Sequence, residues 1–309
     1  MTATTAAERA EIRAMAHELA RRELTPRAAA LDIGSEDVLA ECWRLLVELG
    51  LDRVLLDEQH GGAALGVPDL LAMIEELAVG DGGIAMCVLL CNAALATLTD
   101  EQLMDVPAGA RWALVPDAPG TELSISDGQP DGRMACALGA HGADGLVILA
   151  ERPQLTAWAI VTDAPGLKLE REVAQMGLRA AHAASIELAG IKNAAATVDV
   201  NGSLTTTSGA SGLALLRAGT AAIARGIARR AYEMAFDYAQ SRQQGGVAII
   251  EHDAVSDMLS AMAVRLAARP EIATDPPGLA SKETQALCAK IASTDAALAS
   301  TWLPQPSPA

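Results

Sequence analysis

The side chains that could do chemistry are few and scattered along the 309-residue chain. Cys87 and Cys91 stand four residues apart in an apolar stretch that is expected to be helical, so their thiols could meet on one helix face. A metal site there would need a further histidine or cysteine pair close by, and the sequence offers neither. We therefore interpret both cysteines as small buried side chains.

The histidines and acids give no recognisable catalytic pattern. His141 and His182 are isolated in a stretch with strand patterning, where structural histidines are commoner than catalytic ones. Glu233, Asp237 and Glu283 fall in predicted helices, and helical acids usually face solvent. The sequence contains no GxSxG elbow, no Walker-type phosphate loop and no metal signature.

Composition narrows the class of protein. The formal net charge of -16 argues against a nucleic-acid surface, which needs clustered Lys and Arg. No apolar run approaches the roughly 20 residues that cross a bilayer, and the first residues do not resemble a secretory signal. The five cysteines are odd in number and irregularly spaced. We expect a cytoplasmic protein with reduced thiols and no membrane or nucleic-acid partner.

Helical spacing of apolar residues dominates the first hundred residues and returns near residue 213. The predicted helices are Glu8–Leu31 (bent near Pro26), Val38–Leu49, Asp69–Val79, Ile84–Leu98, Leu213–Ser241, Glu251–Ala268 and Ser281–Ser300. Between them, short apolar runs bounded by Gly, Pro and Asp predict antiparallel strands at Trp112–Val115, Gly145–Ala150, Thr156–Val161 and Ser185–Leu188. The pattern predicts a mainly α-helical protein with a small β-domain, divided into residues 1–108, 109–204 and 205–309.

Four stretches, in order, resemble the acyl-CoA dehydrogenase family. They are LVELGLDRVLLDEQHGGAALGVPDLLAMIEELAVGDGGIAM (46–86), MGLRAAHAASIELAGI (176–191), RAYEMAFDYAQSRQQGGVAIIEHDAVSDMLSAMA (230–263) and CAKIASTDAALAS (288–300). The resemblance implies an N-terminal helical domain, a middle β-barrel-like domain and a C-terminal helical bundle that lacks its last segment. It also implies oxidation of an acyl-CoA thioester at the α,β-carbons, with FAD as cofactor and a Glu as the base.

The resemblance assigns FAD contacts to two segments. LVPDAPGTE (114–122) falls on the flavin-facing loop, where Gly120 and Thr121 match cofactor-binding positions and Val115 replaces a Thr that touches the flavin ring. Arg242 and His252 fall where the family contacts FAD, the Arg reaching the cofactor of an adjacent subunit, and a guanidinium suits pyrophosphate. An ordinary Pro-Gly turn and a solvated helix-end cation are the alternative interpretations of these two segments.

The flavin wall and the base depart from the family pattern. A strand carrying Trp and Thr against the flavin should fall within residues 134–144, and neither residue is present there. Arg217 matches an Arg that lies near the CoA thioester in the family. The preceding residue, a Glu base in some members, is Leu216 here. Other members place the base beyond a C-terminal loop that this sequence does not contain, so the base stays unassigned.

Three interpretations follow from these matches and departures. The chain could be a subunit of a heteromeric FAD-dependent acyl-CoA dehydrogenase, with the base supplied by a related partner chain. It could be a non-catalytic protein that binds an acyl-CoA or a partner on the same fold, or a self-sufficient dehydrogenase with a relocated base. We favour the first and keep the second as the alternative. We expect a homo- or hetero-oligomer that binds an acyl-CoA thioester whose acyl group the sequence does not identify.

Overall fold

The computed structural model describes residues 4–117, 121–126, 128–150, 156–172, 175–191, 195–199 and 212–267. The predicted helix Ser281–Ser300, the fourth matched stretch and Gly120 lie outside these residues. The helices are α1 (Ala6–Leu19), α2 (Ala28–Asp32), α3 (Glu36–Glu48), α4 (Val67–Gly80), α5 (Gly82–Leu95), α6 (Asp100–Met104), α7 (Gly212–Ser241) and α8 (Asp253–Ala267). None of the described helices is long and apolar enough to span a membrane.

The strands are more numerous than predicted, and the four predicted ones are present with bounds correct to within one residue. They are β1 (Trp112–Val115), β2 (Glu122–Ser126), β3 (Gln129–Ala137), β4 (Gly145–Ala150), β5 (Thr156–Val161), β6 (Leu167–Arg171), β7 (Ala184–Leu188), β8 (Ala195–Asp199), β9 (Gln243–Gln244) and β10 (Val247–Ala248). Two four-stranded sheets have the orders β1-β4-β5-β8 and β2-β3-β7-β6. The chain therefore has a helical N-terminal part, a middle β part and a helical C-terminal part, as expected.

One pairing contradicts the expectation of an all-antiparallel β part. Strand β1 pairs with β4 in parallel, with Val115 opposite Ile148. Parallel neighbours need a long crossover, and the intervening β2–β3 hairpin belongs to the second sheet and supplies that length. The sequence pattern missed β2, β3, β6 and β8 because charged or small residues interrupt their apolar alternation.

The first predicted helix is interrupted as expected, by two irregular turns. After α1, residues Ala20–Leu24 form a wider π turn, and Thr25–Arg27, with Pro26, form a tight 3₁₀ turn before α2. Proline lacks the amide that an α-helix interior requires, so the change of helix type falls where that donor is missing. At the start of α1, the Thr5 side chain accepts from the Glu8 amide at 3.2 Å and caps the helix.

The predicted ends of the next helices are correct to within two or three residues. Ser35 caps α3 by accepting from the Val38 amide, and Asp37 lies in the first turn. Gly50 follows α3 with a φ of +71°, a conformation that glycine adopts without strain. Pro68 lies in the first turn of α4, where an amide has no partner within the helix. Helix α5 ends at Leu95 rather than Leu98.

Helix α5 lies at the centre of the molecule. Every residue from Gly83 to Leu95 is buried, as the uniformly apolar sequence predicted. The helix packs against α4, α7, β1 and the short turn Arg179–Ala181. Its one strongly polar side chain, Asn92, accepts from the Val54 amide and donates to the Leu51 carbonyl, both at 2.9 Å. The amide thereby holds the connection after α3 in place without leaving buried polar groups unpaired.

Helix α7 crosses α5 and α4 at two glycines. A side chain at Gly219 would collide with Leu89 of α5, and one at Gly226 would collide with the Glu75 carbonyl and Ala78 of α4. Close approach of the helix backbones therefore depends on the missing side chains. This packing joins the C-terminal helical part to the N-terminal part.

A buried carboxylate reinforces the same junction. Glu76 of α4 is 3% exposed and accepts from Arg13 of α1 at 2.6 Å and from Arg229 of α7 at 2.9 Å. His17 Nδ1 lies 3.0 Å from its other oxygen. Burial by itself would raise the pKa of Glu76, but the hydrogen bonds from Arg229 and Arg13 prevail and lower it to about 2. One side chain thus connects three helices that are distant in sequence.

We predict that Glu76→Gln lowers the free energy of unfolding by about 2–4 kcal/mol at pH 7, because two half-buried arginines lose their most buried anionic partner and keep the contact with Glu75. Urea unfolding measures the change. Glu48→Gln is the matched control, since Glu48 pairs with Arg44 on an exposed helix face, and it should change stability by less than about 0.5 kcal/mol. Equal effects of the two substitutions would contradict the role given to Glu76.

The difference between wild type and Glu76→Gln should also depend on pH. The pKa of Glu76 is lower in the folded state than its ordinary value of 4.5, so its contribution is complete above pH 4.5. That contribution is lost as the pH falls from 4.5 towards about 2. Unfolding measured in steps over this range should show the two proteins converging. A difference that stays constant down to the lower pH would disprove the assignment.

Candidate functional site

The three parts of the chain meet at the start of α7. Gly212, the first residue of α7, faces the Thr97 hydroxyl, the Ala93 carbonyl and the Leu114 side chain closely enough that a larger residue would collide with the first two. The end of α5, the end of β1 and the first turn of α7 therefore adjoin one another. The positions matched to the thioester, Leu216 and Arg217, lie in α7, and Val115, at the position matched to the flavin ring, ends β1.

The predicted substrate-binding position lies one turn further along α7. Arg217 is half-buried, and so is Leu216, which packs against the main hydrophobic core. The Leu216 carbonyl accepts from the Thr220 hydroxyl at 2.7 Å. A leucine side chain cannot accept a proton, so this position supplies no base in this chain.

The predicted flavin-facing segment follows β1. Val115 is 2% exposed and belongs to the same core, so it offers apolar surface where the family resemblance implied a hydroxyl. Thr121 is half-buried immediately before β2, and Glu122 stands opposite Arg133 in the β2–β3 pair. Gly120 lies outside the described residues. Of the two cofactor contacts predicted in this segment, Thr121 is the one that lies within the described residues.

The segment expected to form the flavin wall is strand only in part. Strand β3 ends at Ala137, and residues 138–144 form the turn that leads to β4. Cys136 is exposed on this strand, while Met134 and Ala137 are buried. A bulge between Met134 and Ala137 shifts the pairing with β7. The exposed positions carry no aromatic ring to lie against a flavin.

Arg242 precedes a short hairpin in the sequence, and His252 follows it. Strands β9 and β10 are joined by Gly245 and Gly246, whose φ angles of +67° and +88° suit a tight turn. Ile249 donates its amide to the Arg242 carbonyl at 2.9 Å, and His252 Nε2 lies 3.2 Å from the Gln244 carbonyl. Both side chains are exposed, and no described acid pairs with the Arg242 guanidinium. The hairpin thus presents a free cation to solvent.

The two groups of predicted residues are far apart in one chain. Helix α7 is uninterrupted over 30 residues, and Arg242 follows its last residue. The 25 positions from Arg217 to Arg242 correspond to about 37 Å along the helix axis at 1.5 Å per residue. An extended dinucleotide is considerably shorter than this. The structure therefore brings Leu216 and Arg217 to the junction with β1 and places Arg242 and His252 at the other end of the helix.

Comparisons with known proteins decide the family. The model of the acyl-CoA dehydrogenase N-terminal domain matches residues 6–103, and that of the acyl-CoA dehydrogenase C-terminal domain matches residues 207–275. Together the matches cover more than half of the chain and fall on the two helical parts. The chain belongs to the acyl-CoA dehydrogenase family. No curated protein matches it at a significant level.

Solved structures share the fold across the whole acyl-CoA dehydrogenase chain. Glutaryl-CoA dehydrogenase from Mycobacterium smegmatis is 22% identical, with a TM-score of 0.78 over 96% of this chain and 82% of that one. PigA with FAD and proline is 20% identical, with a TM-score of 0.77 over 97% and 87%. The steroid ACAD Tcur3481-Tcur3483 is 24% identical, with a TM-score of 0.72 over 97% and 83%.

Two cysteines of this acyl-CoA dehydrogenase chain are confirmed as buried side chains. Burial raises the pKa of the Cys87 thiol to about 11 and that of Cys91 to about 12, so both stay protonated at neutral pH. Their sulfurs lie near different carbonyls, 3.7 Å from that of Ala180 and 3.9 Å from that of Ala110. They do not act as a pair.

The expectation that His141 and His182 are isolated was wrong. Their ring centroids lie 5.9 Å apart, because the turn before β4 meets the turn before β7. Glu36 of α3 approaches both from a position more than a hundred residues earlier in the chain, and Arg171 of β6 completes the group. Sequence reasoning missed Glu36 and Arg171 because no local pattern links residues so far apart.

The cluster has ligand spacing but carries its own cation. Oxygen and nitrogen atoms of Glu36, His141 and His182 lie within 4.8 Å of one another, as a metal site requires. The Arg171 guanidinium, however, donates to Glu36 at 2.8 Å and lies 3.3 Å from His182 Nε2. A divalent cation would have to displace this guanidinium. The arrangement therefore favours a structural ion-pair cluster of Glu36, Arg171 and His182 that joins α3 to the β part.

We predict that His182 stays neutral in the folded protein down to about pH 4. Burial, together with the positive charges of Arg171 and Arg111, lowers the pKa of His182 from 6.5 to about 4. The unfolded chain takes up this proton first, so stability should fall by on the order of 2 kcal/mol as the pH drops from 6.5 to 4.

Proton NMR titration of the histidine rings tests this prediction. The resonance that disappears in His182→Gln should titrate with a midpoint about two units below that of a solvated histidine. The variant should also lose part of the pH dependence of unfolding over that window. A midpoint at the ordinary histidine value would show that the ring is not held neutral by its surroundings.

Proposed function

We propose that the chain is one subunit of a heteromeric, FAD-dependent acyl-CoA dehydrogenase that oxidises an acyl-CoA thioester at its α,β-carbons. The observation that carries the proposal is the separation of the predicted site residues by about 37 Å along α7. One copy cannot place Arg217, assigned to the thioester, and Arg242, assigned to FAD, in the same active site. Each cofactor site that uses an arginine of this type must therefore draw it from a neighbouring chain.

The side chains present fit one half of an FAD site. The exposed Arg242 guanidinium, unpaired among the described residues, can donate a charge-assisted hydrogen bond to a pyrophosphate, and the Thr121 hydroxyl can bind phosphate or ribose oxygens. Val115, buried in the core, presents no hydroxyl to the flavin ring. When bound, FAD would accept the hydride from the β-carbon. This chain would hold the phosphate side of the cofactor more firmly than the ring side.

The partner would supply what this chain lacks. Leu216 occupies a position where some members carry the base, and it is packed against the core. We infer that a related subunit provides the carboxylate that removes the α-proton, while Arg217 of this chain lines the thioester site. The PigA structure is described with FAD and proline, and the steroid ACAD is described by two designations, Tcur3481 and Tcur3483. At identities below 25%, both support a shared fold and leave the acyl group of this chain open.

A second function is favoured by the same leucine. A half-buried apolar residue at the base position, with a buried valine at the flavin-facing position, suits a protein that binds an acyl-CoA or a partner without oxidising it. In either case we propose the domain division 1–108, 109–204 and 205–309, with the thioester site between the β part and the start of α7.

The visible absorption of the purified protein separates the two functions. We predict that the chain alone is colourless and that co-expression with its closest paralogue yields a complex with a flavin spectrum and acyl-CoA-dependent reduction. A flavin spectrum from the chain alone, with turnover, would contradict the requirement for a partner. Colourless preparations in both cases, with acyl-CoA binding seen by calorimetry, would establish the non-catalytic function.

Arg242→Gln tests the contribution of the hairpin to that complex. We predict about a tenfold or greater loss of FAD affinity, because one charge-assisted hydrogen bond disappears. Arg265→Gln, which removes an exposed charge from α8, should leave FAD affinity unchanged. Gel filtration of both variants confirms that the complex stays assembled. Unaltered FAD occupancy in Arg242→Gln would show that the hairpin does not contact the cofactor.

A further inference from the structure

A cavity of about 380 Å³ lies between the loop after α2 and the end of β6. Its volume falls in the range of small-ligand sites. None of the residues assigned above to FAD or the thioester lines it. The lining residues are Asp32, Ile33 and Gly34 from the helical part and Arg171, Glu172, Gln175, Arg179 and His182 from the β part.

Two arginines bridge the walls of this cavity. Arg171 donates to Glu36 at 2.8 Å and to the Gly34 carbonyl at 3.1 Å. Arg179 donates to the Gln175 carbonyl at 2.8 Å and reaches Asp32 at 3.4 Å. The cavity is therefore framed by guanidinium groups whose positions are fixed by bonds to the backbone as well as to acids.

The hydrogen-bonding capacity left over in the cavity is mainly that of donors. Among the described residues, nothing accepts from Arg171 Nε or Arg179 Nη2. His182 is 3% exposed, and its Nε2 faces the Arg171 guanidinium as an acceptor, so the proton of the neutral ring resides on Nδ1. Among the described residues, no group forms a hydrogen bond with His182 Nδ1. This atom is also not completely enclosed by protein.

We propose that this cavity binds a small oxyanion, the phosphate or carboxylate group of a metabolite. Two guanidinium groups and one imidazole line it, and charge-assisted hydrogen bonds to an oxyanion are about twice as strong as neutral ones. The acids on the walls oppose this only weakly. Asp32 is already paired with Arg179 and largely exposed, Glu36 is paired with Arg171, and Glu172 has a partner of its own.

The site would stand apart from the thioester and FAD residues, so the proposal does not rest on the function argued above. A ligand here would contact the α2–α3 loop and the β part together. It would thereby stabilise the contact between α3 and the β part that Glu36, Arg171 and His182 already form in the absence of a ligand.

Calorimetric titration of the full chain at pH 7, with inorganic phosphate and separately with succinate at constant ionic strength, tests the proposal. We expect saturable binding of at least one of the two, with one site per chain. Arg179→Gln should weaken it about tenfold or more. Lys168→Gln is the matched control, because it removes a positive charge from the same β part at a residue that does not line the cavity.

The outcomes distinguish a built site from general charge attraction. Binding of phosphate alone or succinate alone would identify the oxyanion class, and either would support the site. No saturable heat with both anions would overturn it, and so would an equal loss in Lys168→Gln. Thermal unfolding checks that each variant is folded. Should Arg179→Gln fail to fold, Arg179→Lys keeps the charge but loses the forked donor, and the same weakening is expected.

Discussion

The burial of α5 on every side is the constraint on which the other elements depend. A helix with 13 successive buried residues must be covered all round, and α4, α7, β1 and the turn Arg179–Ala181 each supply one side of the cover. Small residues at the crossings let the partners approach, at Gly219 on α7 and at Gly83 on α5 itself. Covering this one helix therefore fixes where the β part and the C-terminal helices lie.

Ion pairs connect the elements that surround α5. Glu76 joins α1, α4 and α7, and Arg171 joins the start of α3 to the β part. The partners of each of these charged side chains come from distant segments, so each ion pair joins elements that are far apart in sequence.

The family fold and the proposed chemistry place different demands on the chain. The fold needs the apolar helices, the two glycine crossings and the ion-paired edges, and all of these are present. The oxidation needs a positioned base and a hydroxyl beside the flavin, and Leu216 and Val115 provide neither. If a partner subunit supplies the base, this chain must still keep the family fold. The interface with the partner depends on the shape of the chain even where the reaction does not use its side chains.

The sequence by itself determined the helical parts well. The apolar periodicity located α3, α4, α5 and α7 to within a few residues. Their signals are local, because Ser35 caps α3, Gly50 follows its end and α5 is a continuous run of mostly apolar residues. It also determined the order of parts and, through four short motifs, the family. Strands such as β2 and β3 were missed because charged and small residues interrupt their apolar alternation.

Only the tertiary structure decided which side chains meet. The cluster of Glu36, His141, Arg171 and His182 draws on four segments that no periodicity connects, so the histidines that seemed isolated proved to be neighbours. The length of α7 was readable from the sequence, but its meaning for the site was not. It became clear only once the start of α7 was seen against β1, because contact between distant segments is set by packing of the whole core rather than by local sequence.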